Sequence, residues 1–496
     1  MKALAWPAVL IGSLLCTAAV AADGIVVGSK IFTEGYVLGE IAAQTLEASK
    51  PAVPVVRKLG MGSTGILFES LNSGAIDVYS DYTGTLAEAI LKNPQLKSVT
   101  EIQTALRKMG IVISEPLGFD NTYALAVRED FALREGLHTI GDLARLRSTL
   151  KAGFSYEFMD RQDGFPGLSQ RYQLGLDPGH VNRMEHSLTY QAIDQRAVDV
   201  IDVYSTDAKI RKFHLRVLED NLGYFPIYKA VWVARAAFVD KYPAQWRALR
   251  QWEGRIDVGT MQDLNAQADI DKRSVAEVAA GLRGSSARTE GVAAQIGRRT
   301  LEHLWLVGVS LVFSIVVGVP LGILAVRHRR TGQVILTLSA ITQTVPSLAL
   351  LCFLIPVFGV GAKPALAALC LYSLLPVVLN TFTGIRGIDP RHLENARAFG
   401  LTPRQILVRI VLPLASPSLL TGIRTATIVS IGTATLAALV GAGGYGVPIV
   451  SGLSLNDVPT ILTGAIPAAL MAWLAHAAFN GLGKLIIPAG LQNNGP

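Results

Sequence analysis

The sequence predicts a two-lobed α/β domain followed by an all-α membrane domain of about five transmembrane helices, and three observations predict it. Charged residues are plentiful up to about residue 300 and sparse afterwards, although the 496-residue chain as a whole is 50% apolar with mean hydropathy +0.38. Short β-rich runs alternate with helical patterns over residues 23–280. Apolar stretches, each close to the ~20 residues that a bilayer-crossing helix needs, fill the remainder. The expected organisation is a signal peptide at 1–22, a soluble domain of two α/β lobes at 23–280, a linker at 281–300 and a membrane domain at 301–490.

The N-terminus has Lys2, an apolar run through Val20 and the small-residue end Ala19-Val20-Ala21, the form of a secretory signal. Cleavage after Ala21 or Ala22 is expected, with retention as an anchor the alternative. A large leucine, Leu15, precedes Cys16 and argues against lipoprotein processing. Cys352 and Cys370 fall in apolar segments, so the exported domain has no cysteine for a disulfide. Its stability must come from a hydrophobic core, which about 260 residues can supply.

In the soluble part, strands are expected at Ile25–Gly28, Val53–Lys58, Ala75–Tyr79, Tyr123–Val127, Val198–Val203 and Ala230–Ala234. Asn72-Ser73-Gly74 and Asp177-Pro178-Gly179 carry turn chemistry. This rhythm suits two lobes with a ligand cleft at the strand ends.

Membrane spans are expected near Trp305–Val326, Val334–Phe358, Pro364–Ile385, Ser416–Val440 and Val458–Leu482, kinked at Pro346, Pro356, Pro376 and Pro467. Loop charge orients them. The first connection is Arg327-His328-Arg329-Arg330 and the third holds Arg386, Arg391, Arg397, Arg404 and Arg409. The second has only Lys363, and the fourth, Gly441 to Asp457, has no lysine or arginine. Positive-inside bias places the first and third in the cytoplasm and the N-terminal domain outside, against the mild opposing pull of Arg298 and Arg299. The expected location is therefore a bacterial cytoplasmic (inner) membrane, crossed several times, with the soluble domain periplasmic. The Gly441-Ala442-Gly443-Gly444-Tyr445-Gly446 segment reads as a tight turn or re-entrant piece near the translocation path. No G-x-x-x-x-G-K-[ST] sequence occurs, so ATP binding by that device must come from a separate subunit.

Between the third and fourth spans, residues 394–413 read ENARAFGLTPRQILVRIVLP. Glu394, Ala396 and Gly400, then Ile410, Leu412 and Pro413, form E-x-A-x-x-x-G, nine residues, I-x-L-P. Two short helices are expected, broken at Gly400, which tolerates positive φ, with Pro403 in the first turn of the second. The pattern resembles the coupling-loop signature of bacterial ABC importer permeases. That resemblance implies that loop 386–413 receives a cytosolic ATPase subunit. Five spans are few for a complete path, so two copies of the membrane domain are expected to pair as a homodimer.

The soluble domain contains GSKIFTEG (28–35), SDYTGT (80–85), DNTYALAVR (120–128), YEFMDRQDG (156–164), IDVYSTDA (201–208) and FPIYKA (225–230). In order and spacing these resemble the glycine betaine, choline and carnitine group of periplasmic binding proteins, and imply a periplasmic-binding-protein-like fold. The resemblance places Tyr82, Tyr123, Tyr204 and Tyr228 at the positions of an aromatic cage, and Lys30, Thr85 and Arg161 where betaine binders hold the ligand carboxylate. Gly35 stands where relatives usually carry glutamine. The chemistry agrees. A quaternary ammonium has no N–H to donate, but aromatic faces attract it, by roughly 0.5–2 kcal/mol per desolvated ring. A guanidinium suits a carboxylate at the far end. Surface exposure is the alternative for Lys30, and pairing with Asp160 or Asp163 the alternative for Arg161. Tyr156, Phe158 and Tyr190 read as packing residues.

No catalytic constellation competes. The eight histidines are scattered without H-E-x-x-H, so no metal or other cofactor is expected. Asp199, Asp202 and Asp207 read as solvated or strand-end residues, and Ser205 lacks a G-x-S-x-G context. The chain therefore reads as a transporter subunit, not an enzyme. The expected function is import of a glycine betaine or choline-type solute by a fused binding protein and permease. The alternatives are the same machine carrying ergothioneine or an amino acid, or a membrane solute sensor.

Overall fold

The computed structural model describes residues 24–285, 291–455, 457–488 and 491. The expected signal peptide lies outside the described residues, as does 286–290 of the expected linker. The described residues form an α/β unit over 24–285 and a helical unit that begins at 291.

The α/β unit is built on two five-stranded sheets. The first has the order β2-β1-β3-β10-β4, with β1 Ile25–Gly28, β2 Val55–Lys58, β3 Val78–Tyr82, β4 Ile111–Ile113 and β10 Ala230–Arg235. The second has the order β7-β6-β8-β5-β9, with β5 Tyr123–Arg128, β6 Ala152–Ser155, β7 Val181–Met184, β8 Val200–Tyr204 and β9 Leu215–Val217. The chain crosses from the first lobe to the second between β4 and β5 and returns between β9 and β10. Both sheets are mixed. Parallel pairs β1–β2 and β6–β7 lie at one side, and β10 and β5 insert antiparallel to β3 and β8. The inner strands are runs of Val, Ile, Leu and aromatic residues because helices cover both faces. Ile25, Val27, Val78, Leu125, Val127, Val200 and Trp232 are all fully buried.

All six expected strands form. The third begins at Val78 instead of Ala75, because Gly74 is still in the turn at φ +81° and the Asp77 side chain occupies the Val26 N–H at 2.8 Å. Strands β4, β6, β7 and β9 have three or four residues each, too few for alternation to register.

In the helical unit, Val292–Arg327, Ala362–Arg386, Pro403–Val440 and Val458–Ile486 are long and apolar enough to cross a membrane. The expected second span, Val334–Phe358, is not one straight helix. It consists of Arg329–Thr344 and Ser347–Phe358, bent by 102°. Proline explains the break. Pro346 cannot donate a backbone hydrogen bond and drives the preceding residue out of the helical region, and Val345 is extended at φ −69°, ψ 127°. Counting the pair as one span gives five.

The Ala362–Arg386 helix packs against both Val292–Arg327 and Leu412–Thr433. Small residues permit the approach. Gly322 lies against Thr381, Gly422 against the Pro376 carbonyl, and the Ser314 and Ser373 hydroxyls bond to one another.

The expected elbow forms as two helices, Pro390–Ala398 and Pro403–Ile406. Gly400 has φ +78°, and the N–H groups of Gly400 and Leu401 bond the carbonyls of Arg397 and Ala396 at 2.9 and 3.2 Å. These two bonds make a Schellman stop. Thr402 then caps the second helix in a reciprocal box with Gln405, and Pro403 takes its first position. The backbone widens to a π-turn over Leu407–Val411, immediately before Pro413, whose ring nitrogen has no hydrogen for the Arg409 carbonyl. The glycine segment 441–446 turns sharply, with Gly441, Gly443 and Gly444 at positive φ, and Gly446 opens the next helix.

Candidate functional site

Strand register assembles the expected ligand residues at the mouth between the two lobes. In the second lobe Tyr123 opens β5 and Tyr204 closes β8, and the two are direct cross-strand partners. In the first lobe Tyr82 closes β3 opposite Ala230 of β10, and Tyr228 lies two residues before that partner. The chain thus carries one pair of tyrosines on each lip. Gly84, in the turn after Tyr82, lets Tyr228 pack close, since a Cβ there would fall 2.5 Å from the Tyr228 ring.

The rings form a connected wall. Tyr123 lies 5.2 Å from Tyr204 and 5.9 Å, edge-on, from Tyr228. Phe32 joins Tyr204 at 5.5 Å to Tyr82 at 6.5 Å. Tyr82, Tyr123 and Tyr228 are buried and Tyr204 is half-buried. Burial and neighbouring carboxylates raise all four phenols well above the ordinary range, so each keeps its proton. Phe32 was not anticipated from sequence. Its ring also accounts for Gly35: a Cβ at that position would lie 3.1 Å from the Phe32 ring and 2.9 Å from the Lys30 carbonyl.

Lys30, Thr85 and Arg161 come together beside these rings, and none stands free. Lys30 is buried, contrary to the surface alternative, and its Nζ lies 2.6 Å from Asp81 and 5.6 Å from the centre of the Tyr82 ring. Arg161 grips Asp163 with two bonds, Nε to Oδ1 at 2.7 Å and Nη2 to Oδ2, and reaches Glu157 and Thr85 at 3.4 Å each. Asp160 pairs with Arg183 instead. The guanidinium lies over the Tyr123 and Tyr228 rings at 5.6 and 6.0 Å. Burial would raise the Glu157 carboxyl, but Lys30 and Arg161 outweigh that and hold it below its ordinary value. Further contacts tie the lobes directly, among them Thr64 donating to Glu157 at 2.7 Å and Tyr228 to Asp163 at 2.5 Å.

Three expectations are corrected. Asp202 and Asp207 are not solvated, although both sit at the end of β8, the strand-end alternative. Asp202 is fully buried and accepts from the Ser155 N–H and hydroxyl, and both face His186, at 3.4 and 3.1 Å. Tyr156 does not pack, being 55% exposed. Phe158 and Tyr190 are buried, Phe158 against Tyr123 and Tyr190 donating to Asp207 at 2.6 Å.

This is a two-lobed α/β domain with an aromatic wall and cations held by neighbouring carboxylates, joined in one chain to a set of apolar helices. Residues 23–282 match the family described as the substrate binding domain of ABC-type glycine betaine transport systems. Residues 315–489 match the binding-protein-dependent transport system inner membrane component. The chain belongs to both families, a binding domain fused to an ABC importer permease domain.

The fused chain is 34% identical over 255 residues to the ergothioneine transport permease/ergothioneine binding protein EgtU of Helicobacter pylori (strain G27), covering 50% of this chain and 45% of that one. It therefore spans less than half the length of that relative. It is also 40% identical over 194 residues to the choline transport system permease protein OpuBB of Bacillus subtilis (strain 168), covering 39% of this chain and 89% of that protein. A solved structure described as a glycine betaine/carnitine/choline ABC transporter aligns at 28% identity and TM-score 0.43, over 51% of this chain and 96% of its own. The permease domain, with its long apolar helices, makes the chain a multi-pass membrane protein.

Proposed function

We propose that this fused binding protein and permease imports a quaternary-ammonium solute of the glycine betaine or choline type. The observation that carries the reading is the ring wall of Tyr82, Tyr123, Tyr204 and Tyr228, to which each lobe contributes two members. Rings on both lips surround a methylated cation only when the lobes close, so capture and closure become one event. Lys30, Thr85 and Arg161 then bind the other end of the solute, exchanging part of their bonding with Asp81, Asp163 and Glu157 for a ligand carboxylate.

In this reading the binding domain faces the periplasm and two permease domains pair to complete the path. A separate ATPase docks on loop 386–413, through the turn set by Glu394, Ala396 and Gly400 and the segment ending in Ile410, Leu412 and Pro413. The fully exposed aspect of Phe399, 84% accessible at the break, supports a protein partner there. The test is calorimetry of the full chain in detergent against glycine betaine, choline and carnitine. Saturable binding of at least one is expected, and failure of all three would overturn the ligand class.

Ergothioneine is the second reading, favoured by the relative EgtU. It too carries a trimethylammonium and a carboxylate, so the same wall and cations suit it. Competition against the betaine panel separates the two.

A further inference from the structure

Most carboxylates around the ring wall have a cation beside them. Asp81 has Lys30, Asp163 and Glu157 share Arg161, Asp202 and Asp207 share His186, and Asp269 has Lys209 at 3.7 Å. Glu34, in the first turn of the Thr33–Ala48 helix, has none among the described residues. It is 2% exposed. Its partners are four neutral donors. Tyr82 Oη and Asn121 Nδ2, at 3.0 Å, bond Oε1; Thr206 Oγ1 and Asn265 Nδ2, at 2.6 and 3.1 Å, bond Oε2.

Four donors on two oxygens is the complement of an ionised carboxylate, which accepts at about four lone-pair sites, whereas a protonated one must itself donate. Yet burying an uncompensated anion costs several kcal/mol even when it is well bonded. Burial accordingly raises the Glu34 carboxyl from its ordinary value, against the pull of all four donors. A chain that needed only a structural hub could use glutamine or an apolar residue there at smaller cost. The charge has a use where it stands. Tyr82 is a member of the ring wall, and a phenol donating to an anion gains electron density in its ring, which deepens the negative face that attracts a cation.

We propose that Glu34 is the counter-charge of the cage, an anion set behind Tyr82 whose missing cation is the quaternary ammonium of the solute. This rests on the aromatic-cage reading above and adds a positioning residue to it. Thr206 belongs to the second lobe and Tyr82 to the first, so the donor shell is complete only with the lobes together. Closure and cation attraction are thereby linked through one side chain.

The experiment compares each cation with its carbon isostere in the purified full chain. Choline is paired with 3,3-dimethyl-1-butanol, and glycine betaine with 3,3-dimethylbutanoate, in each of which a quaternary carbon replaces nitrogen and the positive charge is gone. Glu34→Gln should weaken cation binding by about tenfold or more while changing isostere binding by less than about twofold. Tyr82→Phe, which keeps the ring and removes the hydroxyl link, should shift the cation-to-isostere ratio in the same direction, and serves where Glu34→Gln fails to fold. Equal loss for cation and isostere would make Glu34 a structural hub and overturn the proposal with the cage intact. Unchanged cation affinity in either folded variant would overturn it likewise. A wild-type chain that binds neither these cations nor ergothioneine would remove the cage and this proposal together.

Discussion

The His186 imidazole lies over the Tyr204 ring, with centroids 4.3 Å apart and planes inclined by 37°. Asp202 and Asp207 flank the same imidazole. Burial alone would lower its pKa, but the bonds to the two carboxylates outweigh burial and push it up to about 10. A histidine raised in this way contributes stability that is full below its unfolded value near 6.5 and is lost as pH rises through about 10. We expect His186→Gln to lower the stability of the binding domain, by up to about 4 kcal/mol at neutral pH. The gap from wild type should shrink between about pH 7 and about pH 11 in thermal unfolding followed by fluorescence. A gap that stays constant or widens would mean a neutral imidazole.

The ring wall makes a second prediction. Tyr204→Ala and Tyr82→Ala should each weaken solute binding at least about tenfold, or roughly 1.4 kcal/mol. Phe32→Ala should fall in the same range, because Phe32 is the ring that joins Tyr82 to Tyr204. Tyr156→Ala, on the exposed face, serves as the control and should bind as wild type does. Calorimetry of the full chain checks all four. Normal binding by the Tyr204 and Tyr82 variants would dismantle the wall.

How legible the site was in the sequence depended on whether each residue lay in a patterned segment. Tyr123 and Tyr204 sit at the ends of strands with strong β-branched patterns, so motif and strand together located them. Phe32 lies inside the GSKIFTEG segment, but it occupies the loop between β1 and the Thr33–Ala48 helix, where no strand pattern marks it. His186 was hidden because it follows β7, and its partners Asp202 and Asp207 meet it only through the β7–β6 and β6–β8 pairings. Glu34 was hidden because its four donors come from positions 82, 121, 206 and 265. Among the described membrane elements, length and hydropathy located four of the five expected spans as long apolar helices. They could not show that Val345-Pro346 turns the second by 102°, since a proline kinks some helices and breaks others.

Packing in the permease domain can be tested on one helix. Gly322 and Gly308 both lie in Val292–Arg327. A Cβ at 322 would fall 2.5 Å from Thr381 Cβ and 2.9 Å from the Val378 carbonyl, whereas at 308 nothing lies within 4 Å. We expect Gly322→Val to destabilise the detergent-purified chain by roughly 1–3 kcal/mol through overpacking. Gly308→Val should be close to neutral. Thermal denaturation of the two variants under the same conditions checks the contrast, and equal effects would place the Ala362–Arg386 helix elsewhere.

The elbow permits a sharper separation of backbone from side chain. Gly400 has φ +78° and an added Cβ would meet nothing within 4 Å, so only its conformation constrains the position. Asparagine adopts this region with little penalty, whereas a β-branched residue there costs about 1–3 kcal/mol and would release the Schellman stop. Gly400→Asn should therefore retain function and Gly400→Val should lose it, although both variants add a side chain. The loss should be selective. The Gly400→Val chain should bind solute normally while failing to support ATP-driven uptake in vesicles with its ATPase partner, because the binding residues belong to a different unit. Uptake by both variants would take the coupling role away from the elbow, and failure of both would assign the defect to crowding of a docking surface instead of to the left-handed turn.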